Sequence, residues 1–191
     1  MINKKKLSNS KGFTLTELLV VIFVLVLIIR LVYSGYLLSH RSYLEAEKMT
    51  EITQNGRVIL ERTAREIRQA REIATELAEE ESGATSTIEF EDGHISESYH
   101  YIRYFKEGAE VKREIVGYYF SGDPSETLVS WDAEPPGSQT LETKVLESSK
   151  TIGECVSGLG FWGSEVVNIF LVLEKENKAL NLKTKVFGRN L

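Results

Sequence analysis

The chain has 191 residues, enough for one domain of ordinary size plus an anchor, and its 28 acidic residues outnumber its 23 basic ones for a formal charge of −5. That balance disfavours a general nucleic-acid binder, because phosphate affinity comes largely from clustered Lys and Arg. The composition is otherwise that of a globular protein. The single Cys155 excludes an internal disulfide; it reads as a small, partly buried residue and does not report the redox compartment.

The chain opens on a basic leader, residues 1–12, with Lys4, Lys5, Lys6 and Lys11. After Phe13 the sequence turns apolar, and Leu18-Leu19-Val20-Val21-Ile22-Phe23-Val24-Leu25-Val26-Leu27-Ile28-Ile29 carries no charge. Glu17 stands just inside this run. A carboxylate there costs at least ~2.5 kcal/mol on insertion scales, so its presence demands a partner. A free amino terminus, exposed by a cut between Gly12 and Phe13, would supply one. An ordinary secretory signal is cut after its apolar region, at small residues. Ser34-Gly35 offers only a weak site of that kind, whereas a cut at Gly12-Phe13 keeps the apolar run in the mature protein. Four lysines before the run hold that end in the cytoplasm and send the rest outward. As a helix, Phe13 to Leu38 would extend roughly 39 Å, long enough to span the bilayer core. Arg30, roughly 26 Å from Phe13, suits snorkelling to the outer headgroups, the alternative being a neighbour's carboxylate.

Residues 7–29 closely resemble the class III signal of type IV pilins and pseudopilins: a basic leader, Gly12-Phe13, Glu17 and a long apolar helix. The resemblance implies that a prepilin peptidase cuts after Gly12, that the Phe13 amine is methylated, and that Glu17, fifth in the mature chain, serves subunit assembly. Loss of the four leader lysines would take 23 basic residues to 19 against 28 acidic, a formal charge of −9. Two departures stand out. Family anchors typically have a proline in mid-helix, where this chain has Ser34-Gly35, and many major pilins carry a C-terminal disulfide that Cys155 alone cannot make.

Beyond Leu38 the helical pattern changes character. Ile52, Gly56, Ile59, Thr63, Ile67, Ala70, Ala74 and Leu77 recur at steps of three and four, a narrow stripe on one helix face. Arg57, Glu61, Arg62, Arg65, Glu66, Arg68 and Arg71 surround it, with Glu61 and Arg65 at a favourable i,i+4 spacing. No proline precedes Pro124, so one helix is expected from about Phe13 into the 70s: an anchor half over 13–38 and an amphipathic half over 39–80. Glu79-Glu80-Glu81-Ser82-Gly83 should end it. From there the period becomes two, and residues 84–191 read as a sheet domain. Strands are expected over Thr85–Phe90, Tyr99–Phe105, Glu114–Phe120, Val166–Leu173 and Leu180–Val186. Turns are expected at Asp92-Gly93, Glu107-Gly108 and Glu176-Asn177-Lys178. Ser121–Gln139 holds all three prolines and reads as a surface loop. Tyr101-Ile102-Arg103-Tyr104, Val111-Lys112-Arg113-Glu114, Leu182-Lys183-Thr184-Lys185-Val186 and Arg189-Asn190 are similar to minor pilins and pseudopilins. The type they most resemble is that of the J component of type II secretion systems and of W-type minor pilins.

No catalytic, metal or cofactor site emerges. His40, His94 and His100 lack metal-ligand spacing, and no nucleotide or nucleophile-elbow fingerprint occurs. Asp123, Glu126 and Asp132 match no calcium pattern and read as solvated loop acids. The arginines at 57–71 lack the aromatic interleaving that stacks bases and read as a salt-laced helix face. Trp131 and Trp162 read as packing residues. The expected fold is α+β, a long N-terminal helix on a C-terminal antiparallel sheet. The expected role is a minor pilin or pseudopilin that initiates or caps a type IV pilus-like filament in a pilus, competence or type II secretion machine. The alternative is a tip adhesin or a DNA- or substrate-binding subunit of such a filament. Implied partners are the prepilin peptidase, other pilins or pseudopilins, the membrane assembly platform and the lipid bilayer, with nucleic acid disfavoured. The chain should cross the inner or cytoplasmic membrane once, N-terminus inside and sheet domain outside.

Overall fold

A computed structural model of the chain describes residues 12–94 and 99–188. Most of the leader and the tail residues Arg189-Asn190 therefore lie outside the described residues. One helix, α1 (Leu15–Gln69), runs without interruption through Ser34-Gly35, where Ser34 Oγ donates to the Leu31 carbonyl at 3.2 Å. The chain divides into two compact units, Met1–Glu47 and Lys48–Leu191. In the first, every described residue is exposed, and the helix there is long and apolar enough to cross a membrane.

In the second unit, the periodicity of α1 becomes burial. Ile52, Gly56, Ile59, Thr63, Ala64 and Ile67 are the buried residues of the helix, and Ala70 continues the line. They pack against Ile88, Phe90, Ile102, Tyr104, Phe161, Leu171, Leu173 and Val186 in one apolar core. Each large side chain fully removed from water there contributes about 1.5–3 kcal/mol. Gly56 permits a close approach of helix to sheet: a Cβ on it would lie 2.6 Å from Leu182 Cδ1 and 3.0 Å from Leu173 Cδ1.

The core is covered by two antiparallel sheets where a single sheet was expected. Strands β1 (Thr87–Glu91), β2 (Tyr101–Glu107), β3 (Glu110–Phe120) and β4 (Leu141–Gly153) form the first in that order. The second holds β5 (Val156–Trp162), β6 (Val166–Lys175) and β7 (Lys178–Phe187), also in order. Hairpins close at Gly108-Ala109 and Glu176-Asn177, where Glu107 pairs with Glu110 and Lys175 with Lys178. The expected strands are present with shifted ends, and β4 and β5 occupy a stretch for which no strand was expected.

The amphipathic half of the helix ends at Gln69, well short of residue 80. The free edge of β1 takes up the chain that follows. Arg71 N donates to the Glu91 carbonyl at 3.3 Å, Glu91 N to Glu72 at 3.0 Å and Ala74 N to Glu89 at 2.9 Å. Ile73 thereby forms an isolated bridge with Phe90. Backbone pairing at an open sheet edge outweighs the helical propensity of residues 70–80, and Ile73 and Leu77 still pack on the core from an extended chain.

Candidate functional site

Helix α1 begins in a reciprocal cap. Thr14 N–H and Thr14 Oγ1 both donate to Glu17 Oε2 at 2.9 Å. Glu17 N–H donates back to Thr14 Oγ1 at 3.4 Å. This is a capping box, Thr at the N-cap and Glu three residues on, which satisfies helix-start N–H groups that have no intrahelical acceptor. A carboxylate in the first turn also meets the positive end of the helix dipole. Glu17 is thus held by its own chain, a partner not foreseen from the sequence, although the Thr-x-x-Glu signature is legible at residues 14–17. Both bonds fall on Oε2, and among the described residues Oε1 has no partner. Phe13 is 84% exposed, and nothing outside its own neighbours lies within 4 Å of a Cβ built on Gly12. The Gly12-Phe13 bond therefore sits open, directly before the capped turn. Residues Leu18 to Ile29 present an unbroken apolar surface, each of them exposed.

The sheet unit holds polar clusters of another kind. Arg103 Nε donates to Glu89 Oε2 at 2.7 Å and its Nη1 to Glu114 Oε1 at 3.0 Å, while Tyr118 OH donates to Glu89 Oε1. Burial, and next the bond to the Glu89 carboxylate, push the Tyr118 hydroxyl up to about 12. Beside it, Arg71 pairs with Glu91 at 3.1 Å. Across the first sheet, Arg113 Nε meets Glu66 at 2.9 Å and Arg113 Nη1 meets Glu147 at 3.5 Å. Arg103 thus bridges two strand carboxylates, and Arg113 bridges helix α1 to β4.

The remaining sequence candidates are scattered. Asp123 accepts from Ser125 N and Thr127 N at 2.8 and 2.9 Å, Glu126 pairs with Lys144, and Asp132 takes the Ser130 hydroxyl. The helix arginines are laced as expected but with shifted partners: Arg57 to Glu61 at 3.8 Å and Arg62 to Glu66 at 3.3 Å, in place of Glu61–Arg65. Trp131 pins the long loop, its Nε1 donating to Glu72 at 2.7 Å and its N–H to Tyr101 OH at 3.1 Å. Trp162 lies 5.9 Å from Phe170 and beneath Lys183. His94 pairs with Asp92 at 2.9 Å.

Residues 7–29 match the model of the prokaryotic N-terminal methylation motif. Comparison with curated proteins gives no match, and neither does comparison with solved structures. The motif is the type IV pilin signal; it implies processing by a prepilin peptidase and assembly with other pilins, and the exposed apolar helix fits a single-pass membrane anchor. The match covers residues 7–29 alone and supports a type IV pilin-like subunit; the arrangement of a long N-terminal helix on antiparallel sheets is the α+β fold that was expected.

Proposed function

We propose that the chain is a minor pilin or pseudopilin, a structural rather than catalytic subunit that initiates or caps a type IV pilus-like filament, of the type resembling the J component of type II secretion. The observation that carries this reading is the capped Glu17 in the first turn of an exposed apolar helix, directly after Gly12-Phe13. The peptidase removes residues 1–12, and the Phe13 amine is methylated. The Thr14 N–H survives that cut, so the cap persists in the mature chain and Glu17 Oε1 faces outward for the Phe13 ammonium of an adjacent subunit. In low dielectric the attraction is strong but desolvation offsets much of it. Its main effect is therefore register, the choice of axial offset between packed helices. The apolar residues Leu18 to Ile29 anchor the subunit in the inner or cytoplasmic membrane until the assembly platform delivers it to the filament.

Intact-mass and N-terminal analysis of the protein from native membranes tests this. A chain beginning at Phe13, with or without a methyl on its amine, is expected. A chain beginning after Ser34 would mean ordinary secretion, no retained anchor and no filament.

A further inference from the structure

The open edges of the two sheets are not alike. Residues 71–74 cover the outer edge of β1, and Thr85, paired with Phe161 at 2.8 and 3.1 Å, covers that of β5 with help from the Gly163–Ala78 bond at 2.7 Å. Strand β4 is broken by three register shifts against β3 and carries Lys144 and Lys150, features that discourage strand addition. Strand β7 also carries lysines, Lys178, Lys183 and Lys185, but no bulge breaks its pairing. It pairs with β6 through ten residues without a shift, and among the described residues no strand pairs with its second edge. Leu182 and Thr184 from its inward face and Lys183 from its outward face all line one groove of about 360 Å³. The groove therefore lies across the open strand edge, and α1 forms its other wall. The floor is apolar, built of Leu60, Ala64 and Leu182, and the rim carries Arg57, Arg68 and Lys183 against the single carboxylate of Glu61.

We propose that this groove receives an extended peptide segment of another protein chain, which adds a strand to β7. It would set an apolar side chain over Leu60, Ala64 and Leu182 and a carboxylate against Arg57 and Arg68. A strand edge walled by a helix supplies main-chain hydrogen bonds for affinity and side-chain subsites for choice. The charge of the occupant follows from the rim, cationic in a chain whose acidic residues are in excess. Lys183 is engaged by Glu81 at 2.6 Å, and Arg57 meets Glu61 only at 3.8 Å with both side chains about three-quarters exposed. Arg68 has no ion pair among the described residues. The groove lies wholly within the unit Lys48–Leu191, and the proposal is independent of the processing and assembly of the helix start.

The test is fluorescence anisotropy with the full chain in detergent micelles and three labelled hexapeptides: alternating Val-Glu, alternating Val-Lys, and Val-Glu with alternate backbone nitrogens methylated. The acidic strand is expected to bind about tenfold more tightly than the basic one, the scale of two or three exposed ion pairs. That advantage should shrink with added salt and fall away in Arg68→Glu, a change at an exposed helix position. The methylated peptide, unable to donate to the β7 edge, should not bind. Equal affinity for acidic and basic peptides would overturn the charge assignment, and undiminished binding of the methylated peptide would overturn strand addition.

Discussion

The carboxylate of Glu17 accepts two bonds on Oε2 from Thr14, so cap and assembly contact can use different oxygens of one side chain. Replacing Glu17 with Ala removes both and costs the helix start about 1 kcal/mol; replacing it with Gln keeps an acceptor for Thr14 and removes only the charge. We expect both variants to be cleaved and to accumulate normally, and both to fail in filament assembly, scored by sheared filaments or secretion. Normal assembly of Glu17→Gln would mean that register does not depend on an ion pair. In the sheet unit the comparable residue is Tyr118, whose hydroxyl serves a Glu89 only 6% exposed. Tyr118→Phe leaves that carboxylate one donor short and should lower stability by about 2 kcal/mol. The pH dependence has a fixed sign. The folded chain holds the Tyr118 proton up to about 12 against an ordinary 10; the stabilisation is thus complete below pH 10 and is lost as pH rises from 10 through about 12. Urea midpoints over that window should fall less steeply in Tyr118→Phe than in the parent, and parallel profiles would refute the coupling. Tyr104, by contrast, is fully buried near Glu66, and its hydroxyl makes no hydrogen bond of good geometry among the described residues, so Tyr104→Phe should cost little.

At the level of elements, α1 stops where the turn at Asp92-Gly93 meets it. A Cβ on Gly93 would lie 1.9 Å from the Gln69 carbonyl oxygen, a backbone atom that cannot swing aside. Gly93→Ala should therefore lower stability by about 1–3 kcal/mol, the usual cost of overpacking, with a matching drop in the thermal midpoint; an unchanged midpoint would show that the turn stands off from the helix. Nothing local in residues 70–80 announces this stop, because it is imposed by the edge of β1 some twenty residues downstream. The legible elements are those whose burial has a single period: the stripe from Ile52 to Ile67, and β6, which alternates from Val166 to Leu173. Strand β4 lacks that signal because it is an exposed edge whose bulges break the alternation. Strand β5 is masked by Gly158 and Gly160, residues that weaken a strand pattern; a Cβ on Gly160 would fall 2.1 Å from the Phe170 ring. The candidate site was legible in Gly12, Phe13 and Glu17 because a charge in an apolar run is conspicuous. The Thr14 cap is less conspicuous, because a Thr-x-x-Glu spacing is common at helix starts.

For the whole molecule the open question is sidedness, and the chain carries its own reporter. Four leader lysines ahead of the apolar segment should retain the N-terminus in the cytoplasm, since translocation follows the Lys and Arg bias of the flanks. The 28 acidic residues all follow Gly12, but they do not oppose that bias, because Asp and Glu contribute little to orientation. The sheet unit should then lie outside the membrane, and with it Cys155, the only cysteine of the chain. Cys155 is partly exposed at the turn between β4 and β5, with φ at 63°, so a thiol reagent can approach it without unfolding the core. A membrane-impermeant maleimide added to intact spheroplasts should label the protein to the same extent as after lysis, and Cys155→Ser should abolish the label. Labelling only after lysis would put the sheet unit in the cytoplasm, and an outward-growing filament could not then be built from this chain. Because the readout depends on neither cleavage nor filament formation, it separates an error in orientation from an error in assembly.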